Sequence, residues 1–224
     1  GDVNGDGYSD VLVGAAYYDD GESDEGAVFI YHGSAAGINA IANTQIESNQ
    51  VSAYFGGSVA TAGDVNRDGF SDIIVGAYGY DNGQTNEGVV FIYRGTVTGI
   101  STVSTIQIEC NQASAQFGIS VASAGDINAD GYSDIIIGAN LYDNGQLNEG
   151  AVFIYIGSSS GIDTANVILL ESNKTMSNFG YSVASAGDVN GDGYSDLIVG
   201  AYAYENGEGG EGLAFIYHGS SAGI

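Results

Sequence analysis

Residues 117–139 read FGISVASAGDINADGYSDIIIGA: a run of small side chains, then an acidic loop, then an apolar run. Ser-Val-Ala-Ser-Ala-Gly carries small side chains on both faces, which predicts a strand in crowded surroundings. Asp-Ile-Ile-Ile-Gly-Ala is short, β-branched and bounded by Gly, Asn, Asp and Ser, so it predicts a second strand. Between them lies Asp126-x-Asn128-x-Asp130-Gly131-x-x-Asp134. Side-chain oxygens fall at loop positions 1, 3, 5 and 9, and the carbonyl of Tyr132 at position 7 adds another. Three carboxylates crowded together repel one another unless a cation sits among them. Hard oxygen donors from one tight loop suit Ca2+, which accepts about six to eight oxygens; Mg2+ resists exchanging so many of its waters. Gly131, at position 6, permits the bend that turns successive oxygens inward.

The pattern recurs. GDVNGDGYSD at 1–10, GDVNRDGFSD at 63–72 and GDVNGDGYSD at 187–196 match GDINADGYSD at 125–134, each 62 residues after the last. The equivalent oxygen sets are Asp2, Asn4, Asp6, Tyr8 and Asp10; Asp64, Asn66, Asp68, Phe70 and Asp72; and Asp188, Asn190, Asp192, Tyr194 and Asp196. Tyr8, Phe70 and Tyr194 would act through their carbonyls. DG-rich loops also make good turns, but a turn alone does not require every acceptor position in four copies while position 4 drifts through Gly, Arg, Ala and Gly. An EF-hand needs a bidentate Glu at position 12. Val13, Val75, Ile137 and Val199 stand there, inside strands, so the loop joins strand to strand.

A fixed long period sets the architecture. Each unit predicts four strands: the SVASAG type, the DIIVGA type, the GAVFIY type and a TIQIE-like segment. No helical periodicity of useful length appears. Four short antiparallel strands per 62 residues predict an all-β fold of β-propeller blades, with the small-residue strand innermost. The chain is a single array of units 2–63, 64–125, 126–187 and a partial 188–224, about 3.6 in all. The expectation is a ring incomplete within this chain, completed by a longer array or by partner chains.

The FG…GD-x-N-x-DG-x-x-D…VGA pattern resembles the FG-GAP repeats of integrin α-subunit β-propellers and their bacterial and fungal relatives. The resemblance covers essentially the whole chain. It implies propeller blades with Ca2+ in the loop between the first and second strands, about four ions, one per repeat. Where the family has Gly-Ala-Pro, this chain reads GAA, GAY, GAN and GAY. Integrin-type propellers have seven blades, about twice what this chain supplies.

Charge narrows the function further. Three Lys and Arg face 28 Asp and Glu, a formal net charge of −25. Nucleic acid and anionic lipid both need basic patches and are excluded as partners. No run of about 18 apolar residues spans a membrane. Cys110 is the only cysteine, so no disulfide framework forms within the chain, and its register neighbours Ser48 and Ser172 mark it as a small residue in place.

A second loop also repeats, as YDDGESDEG, YDNGQTNEG, YDNGQLNEG and YENGEGGEG. It aligns Asp19, Asp81, Asp143 and Glu205, and then Glu25, Glu87, Glu149 and Glu211. A braced turn or a second cation site both account for it. Tyr17, Tyr18, Tyr78, Tyr80, Tyr142, Tyr202 and Tyr204 are expected to pack blade on blade, or to stack sugars beside a Ca2+-rich rim. His32 and His218 share a register with Arg94 and Ile156 and are expected at the surface. Asn173-Lys174-Thr175 is a glycosylation sequon.

No nucleophile elbow, HExxH or phosphate loop is present. Chemistry repeated fourfold is ion binding, so no enzyme activity is expected. The expected function is an extracellular, calcium-stabilised structural or adhesion protein. Its partners would be proteins, further copies of itself or a longer chain. A calcium-dependent lectin taking glycans is the alternative, and a propeller hydrolase a more remote one.

Overall fold

The computed structural model describes all 224 residues and contains strands but no helix. Four antiparallel meanders follow one another. The first holds β1 (Val11–Ala15), β2 (Ala27–Tyr31) and β3 (Thr44–Glu47). The second holds β4 (Phe55–Gly63), β5 (Asp72–Ala77), β6 (Val89–Tyr93) and β7 (Ile106–Glu109). The third holds β8 (Phe117–Gly125), β9 (Asp134–Ala139), β10 (Ala151–Tyr155) and β11 (Val167–Glu171). The fourth holds β12 (Phe179–Gly187), β13 (Asp196–Ala201) and β14 (Leu213–Tyr217). The expected four strands per unit are therefore complete in the two middle sheets, and the outer two sheets have three each.

The small-residue strands occupy the same edge of every sheet that has one. β4 packs on β8, and β8 on β12, so these strands form the inner line of the array as expected. They begin earlier than the alternation predicts, at Phe rather than Ser, because the register is broken between Phe117 and Ser120 and at the equivalent places. Gly118 there has φ of +82°, a conformation that L side chains rarely adopt.

The core lies between blades rather than inside one. Strands buried on both faces should read as continuous apolar runs, and DIIIGA and AVFIY are buried at every position in the third sheet. Phe55, Phe117 and Phe179 are fully buried. Phe117 meets Phe153 edge-on at 5.1 Å within its own sheet. Its N–H donates to the Glu87 carbonyl of the preceding sheet at 2.9 Å. A β-carbon on Gly138 would lie 1.9 Å from the Gly180 carbonyl oxygen, and one on Gly76 would lie 2.1 Å from that of Gly118. The glycine of the GA pair is thus where one blade touches the next in the first three blades.

The array is open, as the fractional repeat count implied. At one end Val11 and Val13 are exposed, although Ile73, Val75, Ile135 and Ile137 at those register positions are buried. At the other end Ile198 and Ile216 are exposed, the latter 55%, although Ile74, Ile92, Ile136 and Ile154 are fully buried.

Candidate metal centre

The four acidic loops link the end of an inner strand to the next strand, at one end of the sheets. All four have the same geometry. At position 6, Gly7, Gly69, Gly131 and Gly193 have φ between 88° and 93°, so the bend expected there is present. Position 4 also turns left-handed, at Gly5 and Gly191 but equally at Arg67 (φ 60°) and Ala129 (φ 59°). That local strain was invisible in the sequence, because only two of the four residues are glycine.

The position-1 aspartate holds the loop together. Asp126 accepts N–H bonds from Asp130 at 3.0 Å and Gly131 at 2.8 Å, and Asp2, Asp64 and Asp188 do the same. Each position-5 carboxylate accepts from the N–H two residues on: Tyr8, Phe70, Tyr132 or Tyr194. Each position-3 Asn donates its Nδ2 to that same carboxylate at 2.8–3.0 Å. At Asp2, burial acts upward on the pKa, but N–H donors from Gly7, Gly5 and Asp6 hold the carboxyl below the ordinary range.

The position-9 aspartate is placed differently. Asp72, Asp134 and Asp196 are fully buried and Asp10 is nearly so. One oxygen of Asp134 accepts the Ile127 N–H at 2.9 Å, and the other accepts the Gly157 N–H at 2.8 Å. Asp10, Asp72 and Asp196 make the equivalent pairs. Each of these carboxylates thus pins the acidic loop to the start of the next connection on its own blade. Burial pushes Asp72 and Asp134 up to about 6 against the N–H bonds, with neighbouring loop aspartates adding to the rise.

A carboxylate oxygen has two acceptor sites, so an oxygen bonded to one N–H can still accept a cation. The donor set of Asp, Asn, Asp, carbonyl and Asp is all hard oxygen and fits Ca2+ in chemistry. In the present arrangement Asp2 and Asp6 face the loop's own N–H groups. No three carboxylate, imidazole or thiol side chains in the chain converge on one point. Ion binding would therefore need the exposed position-5 carboxylates to turn toward position 1.

The first three loops also clasp the blade that follows. The carbonyls of Asp2, Asp64 and Asp126 accept the N–H of Ser71, Ser133 and Ser195 in the next blade, at 2.8, 3.1 and 3.0 Å. The carbonyls of Val3, Val65 and Ile127 accept from Thr96, Ser158 and Ser220. Sequence reasoning missed this clasp, although the serine before each position-9 Asp is a repeated signal for it.

The tyrosines are not beside these loops. Tyr17, Tyr78 and Tyr202 follow the strands that leave the acidic loops, so they lie at the opposite end of the sheets. They thus lie away from the acidic loops beside which sugar stacking was expected. Tyr54 and Tyr78 stack at 4.9 Å, and Tyr17 of the first blade meets Tyr54 edge-on at 5.5 Å. Only the Tyr17–Tyr54 pair is the expected blade-on-blade packing; Tyr18, Tyr80, Tyr142 and Tyr204 instead meet Phe29, Phe91, Phe153 and Phe215 of their own blades edge-on. His218 is half-exposed, with Nδ1 3.3 Å from Asp196 Oδ1. Asn173 of the sequon is exposed in the turn after β11. Cys110 is partly buried, and burial pushes its thiol up to about 11.

The FG-GAP repeat family matches residues 1–31, 55–93, 117–155 and 179–217. Integrin alpha-7 of Rattus norvegicus is 36% identical over 181 residues, which cover 80% of this chain and 15% of that protein. Integrin alpha-6 of Gallus gallus is 40% identical over 160 residues, covering 69% of this chain and 14% of that protein. Integrin alpha pat-2 of Caenorhabditis elegans is 33% identical over 224 residues, covering 92% of this chain and 18% of that protein. The chain thus spans less than a fifth of the length of these curated relatives.

Proposed function

The chain belongs to the FG-GAP repeat family, and from that premise we propose that it is an extracellular, adhesion-related propeller protein. Ca2+ in its four acidic loops stabilises the blades, and the blades present a surface for protein partners. One observation carries this reading: all four loops repeat the same oxygen-bearing positions, and the first three clasp the next blade through the carbonyl of their first aspartate. An ion held there strengthens a joint between blades. Four ions would also reduce the formal charge from −25 to −17, since they contribute +8.

Binding to the folded chain alone stabilises it by RT ln(1 + [L]/Kd), or about 2.7 kcal/mol per site at a hundredfold excess over Kd. Thermal unfolding with Ca2+ and with EDTA tests the reading. The melting temperature should fall with chelator and recover when Ca2+ is restored. A melt unmoved by chelator sinks the calcium role.

Assembly with a further blade is part of the same proposal. The fourth blade offers at Gly200 the shape that Gly76 and Gly138 offer to their successors, with nothing but Ser182 beside it. A further blade, from a longer chain or a second copy, fits that face. The tyrosine rings stack on one another and lend the lectin alternative no separate support.

A further inference from the structure

The loops at the other end of the sheets, between β5 and β6 and between β9 and β10, hold a second kind of acidic site. Glu87 and Glu149 are fully buried there. Oε1 of Glu87 accepts the N–H of Asn82 at 2.7 Å and that of Gln84 at 3.3 Å. Glu149 Oε1 accepts from Asn144 at 2.8 Å and Gln146 at 3.2 Å. The second oxygen of each carboxylate, Oε2, is buried and has no partner. In the same two loops the side-chain oxygens of Gln84 and Gln146 are also buried and without a partner. Each loop therefore encloses two acceptor oxygens that no N–H or O–H group meets.

Charge makes the shortage sharper. Glu109, from β7, accepts from Asn82 Nδ2, and Glu171, from β11, accepts from Asn144 Nδ2. Each loop thus carries two carboxylates joined through one asparagine. The chain has only three basic side chains, and none of them pairs with Glu87 or Glu149. Arg94 donates to the Ser160 carbonyl and Lys174 to the Glu205 carbonyl, while Arg67 lies over Gly131 at the opposite end of the sheets. A buried carboxylate is normally paired with a charge or coordinates a metal. A bridging water could donate to both oxygens, but it would leave the charge uncompensated.

We propose that these two loops each hold one hard cation of the Ca2+ class. Its ligands are Glu87 Oε2 and Gln84 Oε1 in one loop, and Glu149 Oε2 and Gln146 Oε1 in the other, with backbone carbonyls and water completing the shell. The first blade keeps the orphan oxygen on Glu25, but exposed Glu22 stands where the glutamine should be. In the fourth blade Glu211 is exposed. The expected number of such sites is therefore two. They are separate from the D-x-N-x-D-G-x-x-D loops and do not depend on them.

Equilibrium dialysis against radioactive Ca2+ counts the ions. The double variant Glu87→Gln/Glu149→Gln should bind two fewer than the parent. The variant Asp2→Asn/Asp64→Asn/Asp126→Asn/Asp188→Asn should keep those two whatever the acidic loops do, so failure at one end is distinguishable from failure at the other. Gln84→Leu/Gln146→Leu removes only partly exposed side chains and should weaken the same two sites by about tenfold or more, with an unchanged circular dichroism spectrum. A parent count that neither the Glu nor the Gln pair lowers would overturn the proposal and leave a water or a proton on Oε2.

Discussion

Gly138→Ala should loosen the joint between the third and fourth blades, and Gly200→Ala should not. Gly138 has no left-handed φ, so alanine brings no backbone strain and its effect is steric. The added β-carbon would lie 1.9 Å from the Gly180 carbonyl oxygen. A carbon–oxygen contact needs about 3.3 Å, so the blades must part by about 1.4 Å. Separation also strains the hydrogen bond from Ser120 Oγ to that same oxygen, now 2.8 Å long. Overpacking costs about 1–3 kcal/mol and a lost hydrogen bond about 0.5–1.5 kcal/mol, so the sum is about 1.5–4.5 kcal/mol. At Gly200 the new carbon meets only Ser182, through a hydroxyl 2.4 Å away that is free to rotate. Removing a glycine there stiffens the unfolded chain and contributes about 0.4–1 kcal/mol of stability. Urea unfolding of both variants, followed by tyrosine fluorescence and by circular dichroism, measures the difference. Equal midpoints, or a Gly200→Ala loss as large as that of Gly138→Ala, would refute the account of the glycines as contact points. If a further blade docks on the fourth, Gly200→Ala should also lower the mass in solution while leaving the fold intact.

Two more outcomes follow from local geometry. Ala129→Gly should stabilise the third acidic loop by up to about 1 kcal/mol, because a left-handed alanine is strained by about 1–2 kcal/mol and glycine returns part of that as entropy. A lower melting temperature for the variant would contradict the strain. Cys110, with its thiol raised to about 11 by burial, should react with a disulfide reagent at pH 8 at least about a hundredfold more slowly in the folded chain than in urea, since only the thiolate attacks. Comparable rates in the two states would show that the site opens readily.

Much of this architecture is legible without coordinates because repetition separates what is required from what drifts. Position 6 of the acidic loop is glycine four times, and its φ is left-handed four times. Position 4 is left-handed as well, yet Arg67 and Ala129 hide it, since other interactions over-determine the turn there. The strand order followed from the alternation, but the start of β8 at Phe117 did not. The break in register at Gly118 is a contact between blades, and a pattern read along one chain does not show what lies across a joint. Asp134 is the subtler case. Its place in the motif marks it as one ligand among equals, whereas its burial and two N–H partners make it the strut on which the loop is built. The tyrosines were displaced for a topological reason: successive loops of a meander alternate between ends, so residues after β5 cannot sit beside the loop that precedes it.

The two ends of the sheets solve one mechanical problem in the same way. At the acidic-loop end, the carbonyl of an aspartate accepts an N–H from the following blade: Asp64 from Ser133, for example, at 3.1 Å. At the other end, the carbonyl of a buried glutamate accepts from the following phenylalanine, Glu87 from Phe117 at 2.9 Å. In both cases the side chain of the residue that makes the clasp is a carboxylate held inside a loop. A cation on that carboxylate would fix the loop, and fixing the loop would fix the clasp. Ion binding as proposed would therefore act on the interface terms of a repeat array, which carry its cooperativity, more than on the stability of any one blade. Removing ions should lower the cooperativity of unfolding as well as its midpoint, so that a single sharp transition broadens or divides as blades release one by one. A chelated protein that unfolds at a lower temperature with undiminished sharpness would place the ions inside blades instead.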